Sequence, residues 1–175
     1  MTTNTLEAKY KNGLVTDQQM VRLVRLGFLG NAMGITQEDF ERITGKKLDD
    51  VISLDEVKSM QHGTINGYRE TRRAKNTVTY DGDEFEVNRT SQANLTSLVL
   101  SALLAKQAGA PDTATYVYRS ATNTDHELTF IQLVELATLI VSKISEIYEE
   151  SWDLKLAIDN AKTVAEALKV TASLK

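Results

Sequence analysis

The chain has 175 residues, 42% of them hydrophobic and 25% charged, with a formal net charge of −4. A globule of this length buries roughly 70% of its unfolded surface, so a core forms without staples, and the lack of cysteine excludes disulfides, thiolate metal sites and a cysteine nucleophile. Residues 1–110 balance 14 basic against 14 acidic side chains while residues 111–175 hold 6 against 10, so the basic field of a general nucleic-acid binder is missing.

Residues 1–12 carry little apolar content and are expected to form an arm or poorly ordered lead. Regular structure is expected from Thr16, which with Gln19 forms a capping box, while Val15 and Met20 are placed as a hydrophobic staple. A helix should therefore run to about Leu26 and stop at Gly27. Twenty residues later Thr36 caps a second short helix, stapled by Ile35 and Phe40 and closed by Gly45. Two such helices also suit a DNA-reading helix-turn-helix. However, the second carries Glu38, Asp39 and Glu41 against Arg42, and acids at the start of a recognition helix would face phosphates. A docking module is the preferred reading.

The stretch YKNGLVTDQQMVRLVRLGFLGNAMGITQEDFERITGKKL resembles the XkdX-like family of small phage tail proteins at Tyr10, Gly13, Gly27, Ile35, Thr36, Glu38, Ile43, Thr44 and Gly45. It departs from that pattern in a longer turn, Phe28 to Gly34. The resemblance implies no catalytic residues.

Leu48 to Ile52 reads as a connector. Ser53 and Glu56 open another capping box, and a helix should follow to about Lys75 with Leu54, Val57, Met60, Ile65 and Tyr68 inward. Gly63 and Gly67 each cost it about 1 kcal/mol, which predicts a kink or close packing. Arg69, Arg72, Arg73 and Lys75 cluster at its end, where cations suit the helix dipole and can also meet a phosphate or a partner. Next, Asp81-Gly82 between two alternating segments predicts a type I′ hairpin. A helix from about Ser91 to Ala108 is defined by Leu95, Leu98, Val99, Ala102 and Leu103 and ends at Gly109. A second hairpin, Tyr116 to Ala121 with His126 to Phe130, leads into a third capping box at Thr129 and Gln132.

The helix launched there is the longest, about 129–161. Phe130, Leu133, Ala137, Ile140, Ile144, Ile147, Leu154 and Ile158 recur at spacings of three and four, and a second row at Val134, Val141 and Tyr148 widens the stripe beyond a coiled-coil seam. The pattern predicts a helix embedded in a core. Thr163 should cap a last short helix.

RETRRAKNTVTYDGDEFEV, RTSQANLTSLVLSALLA and the segment from Ala114 to Leu168 resemble an uncharacterised phage domain of tail-fibre and tail-assembly proteins. The positions carrying the likeness are Arg89, Ser91, Gln92, Leu128, Thr129, Ile158 and Thr163, while Tyr118 stands where a tryptophan is expected.

Chemistry is sparse. His62 and His126 have no second histidine at ligand spacing, and neither a nucleophile elbow nor a phosphate-binding glycine loop occurs. No catalytic residue, cofactor or metal is expected. Glu149, Glu150 and Asp153 are either solvating or paired with the Arg69 to Lys75 cluster. Trp152, the only tryptophan, lies off the main stripe and reads as an edge filler or an interface anchor. The candidate protein interface is Trp152, Tyr148, Arg69, Arg72, Arg73 and Phe28.

The expected fold is α+β and mainly α: an N-terminal helix–loop–helix docking module over residues 1–47, then a domain over 48–175 with two small β-hairpins and one long helix. The expected function is a non-enzymatic phage tail accessory protein that binds a tail fibre or receptor-binding protein as chaperone or adaptor. The alternatives are a permanent tail-tip or baseplate component and, less favoured, a DNA-binding regulator. Homo-oligomer formation fits the long helix; nucleic acid and membrane are not expected partners. The expected location is the host cytoplasm during assembly, with the virion tail as the other candidate.

Overall fold

The computed structural model describes residues 2–172 and Leu174. It is mainly α with two small antiparallel hairpins, as the sequence pattern predicts. The chain forms two compact units: the first runs through Tyr68 and resumes at Ser151, and the second is Arg69–Glu150. The junction expected at residues 47 and 48 lies inside the first unit, because Leu48 is fully buried in the same core as Met20 and Phe40.

The first unit opens with a helix, α1 (Thr3–Lys11), where a poorly ordered lead was expected. Its one large aliphatic side chain, Leu6, is 2% exposed in the core. Tertiary contacts fix it, including Arg42 to Glu7 at 2.8 Å and Tyr10 Oη donating to Asp17 Oδ1 at 2.6 Å. Helix α2 (Asp17–Phe28) starts at the Thr16/Gln19 capping box with both reciprocal bonds made. It runs past Gly27 rather than stopping there. A Cβ on Gly27 would lie 2.2 Å from the Ile35 carbonyl oxygen, so this glycine lets the returning chain press against the helix. Helix α3 (Gln37–Thr44) is capped by Thr36 and closed by Gly45 at φ 69°, a left-handed conformation that favours glycine.

The expected connector contains a one-turn helix, α4 (Leu48–Val51). Helix α5 (Leu54–Lys75) begins where Ser53 accepts from the Glu56 N–H at 3.2 Å. The close packing expected at Gly63 and Gly67 is not found, since a Cβ at either would meet nothing within 4 Å. Val57 and Ile65 are buried as expected, whereas Met60 is exposed. The last helix, α8 (Val164–Val170), is capped by Thr163, and the Val164 N–H donates to Asp49 Oδ1 at 2.8 Å. That bond closes the chain end onto α4 around Val164, Ala167 and Leu168.

In the second unit, strands β1 (Thr77–Tyr80) and β2 (Asp83–Glu86) pair with Val78 opposite Phe85. Asp81 at φ 49° and Gly82 at φ 79° make the predicted type I′ turn. Helix α6 (Arg89–Gln107) begins two residues before the expected start because Asn88 is its cap, accepting from the Ser91 N–H at 2.8 Å. Strands β3 (Thr115–Arg119) and β4 (Asp125–Thr129) set Tyr118 opposite His126. Phe85 joins the hairpins, stacking on Tyr118 at 6.0 Å. The Ala121 N–H donates to the Glu84 carbonyl at 2.8 Å across the same join.

Helix α7 (Phe130–Asn160) follows the Thr129/Gln132 box. Its Phe130 to Ile147 stripe packs in the second unit's core as predicted. The flanking row does not: Val134 and Val141 face solvent, and fully buried Leu136 widens the stripe on the opposite flank. Because α7 is apolar on more than one side, spacing alone could not say which flank the core covers.

Candidate functional site

The second unit presents one face on which cations and exposed aliphatic side chains meet. On the last turns of α5, Arg69, Arg72 and Arg73 share a side because residues three and four apart lie one above the other. The Arg69 guanidinium sits 4.6 Å from the centroid of the Tyr148 ring on α7, and that of Arg73 lies 6.0 Å from the same ring. Arg72 Nη2 is 3.4 Å from Glu150 Oε2, so the pairing expected between these charged segments exists through Glu150. From α6, Arg89 donates through Nε and Nη2 to Glu70, both at 3.1 Å. These bonds hold the Glu70 carboxyl below its usual range and raise Arg89.

Arg73 is different from its neighbours. Its side chain is 5% exposed, and its Nη2 donates to Gln92 Oε1 at 2.9 Å. Its Nε is buried with no hydrogen-bond partner. Arg73, Arg89, Gln92, Ala93, Thr96, Ser97 and Tyr148 line a shallow groove of about 620 Å³.

Beyond the groove the same side of the α6–α7 pair turns apolar. Two cross-helix proximities fix the geometry: Tyr148 with Gln92 and Thr96 at one end, and Lys106 Nζ 5.5 Å from the Phe130 ring at the other. These are the proximities of antiparallel helices, and helical spacing sets Arg89, Ala93, Thr96, Leu100 and Leu103 in one row on α6 and Tyr148, Val141 and Val134 in one row on α7. Leu100 is 54% and Val141 52% exposed, with Leu103, Leu104, Val134 and Ile131 also open. Large aliphatic side chains exposed on successive turns of two helices are candidates for an interaction surface.

Of the residues singled out in the sequence, Arg69, Arg72, Arg73 and Tyr148 converge on this face. Trp152 and Phe28 belong to the other unit: Trp152 is 58% exposed on α7, and Phe28 packs half-buried against the core beside Gly27. Arg89 and Gln92 stood out in the sequence only through the family resemblance, Leu103 only as part of the stripe defining α6, and exposed Leu100 and Leu104 not at all. The available signal was the run LVLSALLA, apolar on both sides of α6.

Each histidine faces one carboxylate. His62 Nε2 lies 3.0 Å from Asp159. His126 Nε2 lies 3.0 Å from Asp83, whose carboxylate also accepts from Thr122 at 2.9 Å. With Ser120 contributing most, these donors hold Asp83 well below the usual carboxylate range, which ties the turn of one hairpin to the other. Ser120 bonds towards the acid rather than the imidazole, so the order of a serine triad is not made. Among the described residues no group of three or more histidine, aspartate or glutamate side chains is placed to hold a metal ion. No helix among them is long and apolar enough to cross a membrane. The first unit has its own cleft of about 470 Å³, with Val21, Val57, Met60 and Leu168 within and Arg22 and Arg25 among its lining.

No curated protein and no solved structure matches the chain. Residues 56–172 match the model of a family described as a domain of unknown function, DUF4376. That match takes in α6, both hairpins, α7 and α8, and most of α5, well over half of the sequence, and the chain belongs to the DUF4376 family.

Proposed function

We propose that this chain is a non-enzymatic bacteriophage tail accessory protein that docks on a tail fibre or receptor-binding protein, as an assembly chaperone or an adaptor. The observation that carries the reading is the exposure of Leu100, Leu103, Val134 and Val141 on α6 and α7, the two helices that also help line a cationic groove. Leaving several large aliphatic side chains in water forfeits about 25 cal/mol per Å² of apolar surface, which covering by a partner recovers. The resemblance of the N-terminal segment to small phage tail proteins, and of the remainder to a domain of tail-fibre proteins, supplies the context. Fibres assemble slowly through sticky β surfaces, and a domain with an adhesive helix face suits their temporary cover.

The same face also suits a permanent place in the tail tip or baseplate, since apolar interfaces are typical of obligate assemblies. A DNA-binding role is disfavoured because Arg72 and Arg89 are already paired with Glu150 and Glu70. The test is co-expression with the fibre gene of the same phage. A gain in soluble trimeric fibre supports the chaperone, and equal yield with and without this protein removes it. Mass spectrometry of purified particles separates a departing chaperone from a resident subunit.

A further inference from the structure

We propose that the groove at Arg73 receives a carboxylate carried by a segment of a partner protein, whose aliphatic side chains continue onto the strip beyond it. The inference rests on the docking reading above but concerns what the face recognises. Arg73 is a guanidinium removed from water without a counter-charge. Among the described residues no carboxylate oxygen lies within 4 Å of it, and its only partners are the neutral Gln92 amide and the Tyr148 ring. The nearby acids are engaged elsewhere: Glu70 with Arg69 and Arg89, Glu150 with Arg72, and Glu86 with Asn88 and Ser91. A buried charge with no opposite charge is unfavourable by itself, and a guanidinium fork is matched in shape by a carboxylate. Nε has no hydrogen-bond partner within the fold, and Arg73 is part of the groove's lining.

Two features point to a protein segment rather than a lone anion. The groove, at about 620 Å³, is far larger than one oxyanion needs, and it is shallow. Leu100 and Leu103 follow Thr96 one and two turns further along α6, and Val141 lies two turns from Tyr148 on α7, exposed aliphatic surface that no small anion would cover. A second copy of this chain is a poor occupant. Packed antiparallel on the same face, it would bring the Lys106–Asp112 ion pair, rather than an uncommitted carboxylate, towards Arg73 and Arg89.

The test uses the full-length chain and an acetylated, amidated hexaglutamate peptide, titrated at low ionic strength by amide chemical-shift mapping. The expected result is saturable shifts centred on α6 residues 89–97 and on Tyr148. Affinity should fall at least about tenfold in Arg73→Gln, less in Arg73→Lys, and stay unchanged in the remote Arg42→Gln. Hexaglutamine should not bind. Absence of shifts at the groove, or equal affinity in Arg73→Gln with an unaltered amide spectrum elsewhere, overturns the proposal. If inorganic phosphate binds as well as the peptide, the groove is a site for an adventitious ion only and the segment is excluded. Peptide binding without any effect on fibre yield would sink the tail reading and leave this site standing. A fibre effect insensitive to Arg73 would do the reverse.

Discussion

Replacing Arg73 with methionine separates a side chain kept for recognition from one kept for stability. The substitution retains the long unbranched stem and removes the charge. It loses a charged hydrogen bond to Gln92, about 1.5–3 kcal/mol. It also loses a cation–π contact that, at 6.0 Å from the Tyr148 centroid, is worth about 0.5–1 kcal/mol at most. Against these stands relief of the desolvation of an uncompensated cation, several kcal/mol for a group only 5% exposed. The terms nearly cancel, so Arg73→Met should lie within about 1 kcal/mol of the parent or be more stable. Urea unfolding followed by circular dichroism, with an unchanged slope, measures this. A loss of about 3 kcal/mol or more, the size seen when one partner of a compensated buried pair is removed, would refute the reasoning and make Arg73 a structural residue.

Three further outcomes are expected. Leu136→Ala should lower stability by about 2–5 kcal/mol through an internal cavity, whereas Val141→Ala on the exposed flank should cost under about 1 kcal/mol; similar losses at both would contradict the assignment of α7's buried side. Gly27→Ala should destabilise the first unit by at least about 1 kcal/mol, since its Cβ would meet backbone 2.2 Å away, and an unchanged midpoint in urea would show that α2 and the chain at Ile35 are not in contact. Asp83 has a folded-state pKa below its unfolded value, so its stabilisation is complete above the ordinary aspartate range and is lost as pH falls through the lowered folded value. Asp83→Asn should therefore flatten the acid side of the stability profile, and a profile as steep as the parent's between pH ~5 and ~2 would count against the hairpin link.

Where structure is decided within a few residues, the sequence was sufficient. The Thr16/Gln19 and Thr129/Gln132 boxes and the Asp81-Gly82 turn formed as expected because their hydrogen bonds and dihedral requirements are local. Gly27 was legible as special but not for the right reason: a glycine near a helix end serves equally as a stop or as a close-approach point, and only the returning chain at Ile35 decides. Residues 3–11 looked too polar to order because one leucine carries the burial and long-range bonds to Asp17 and Arg42 do the rest. The same limit applies to the docking face. Three arginines at the end of α5 are equivalent on paper. Which one loses both water and counter-charge depends on Gln92 and Tyr148, nineteen and seventy-five residues away in the chain. Asn88 was passed over as a cap, and with it the true start of the helix that frames the groove.

The most direct measurement of the central claim compares two versions of this protein in co-expression with the fibre. One is the parent and the other carries Leu100→Glu and Val141→Glu, both at exposed positions where the fold should persist. The account predicts that the parent raises the yield of soluble trimeric fibre and that the double variant, folded by circular dichroism, does not. Equal rescue by both would mean that the α6–α7 face is not the surface through which this protein acts.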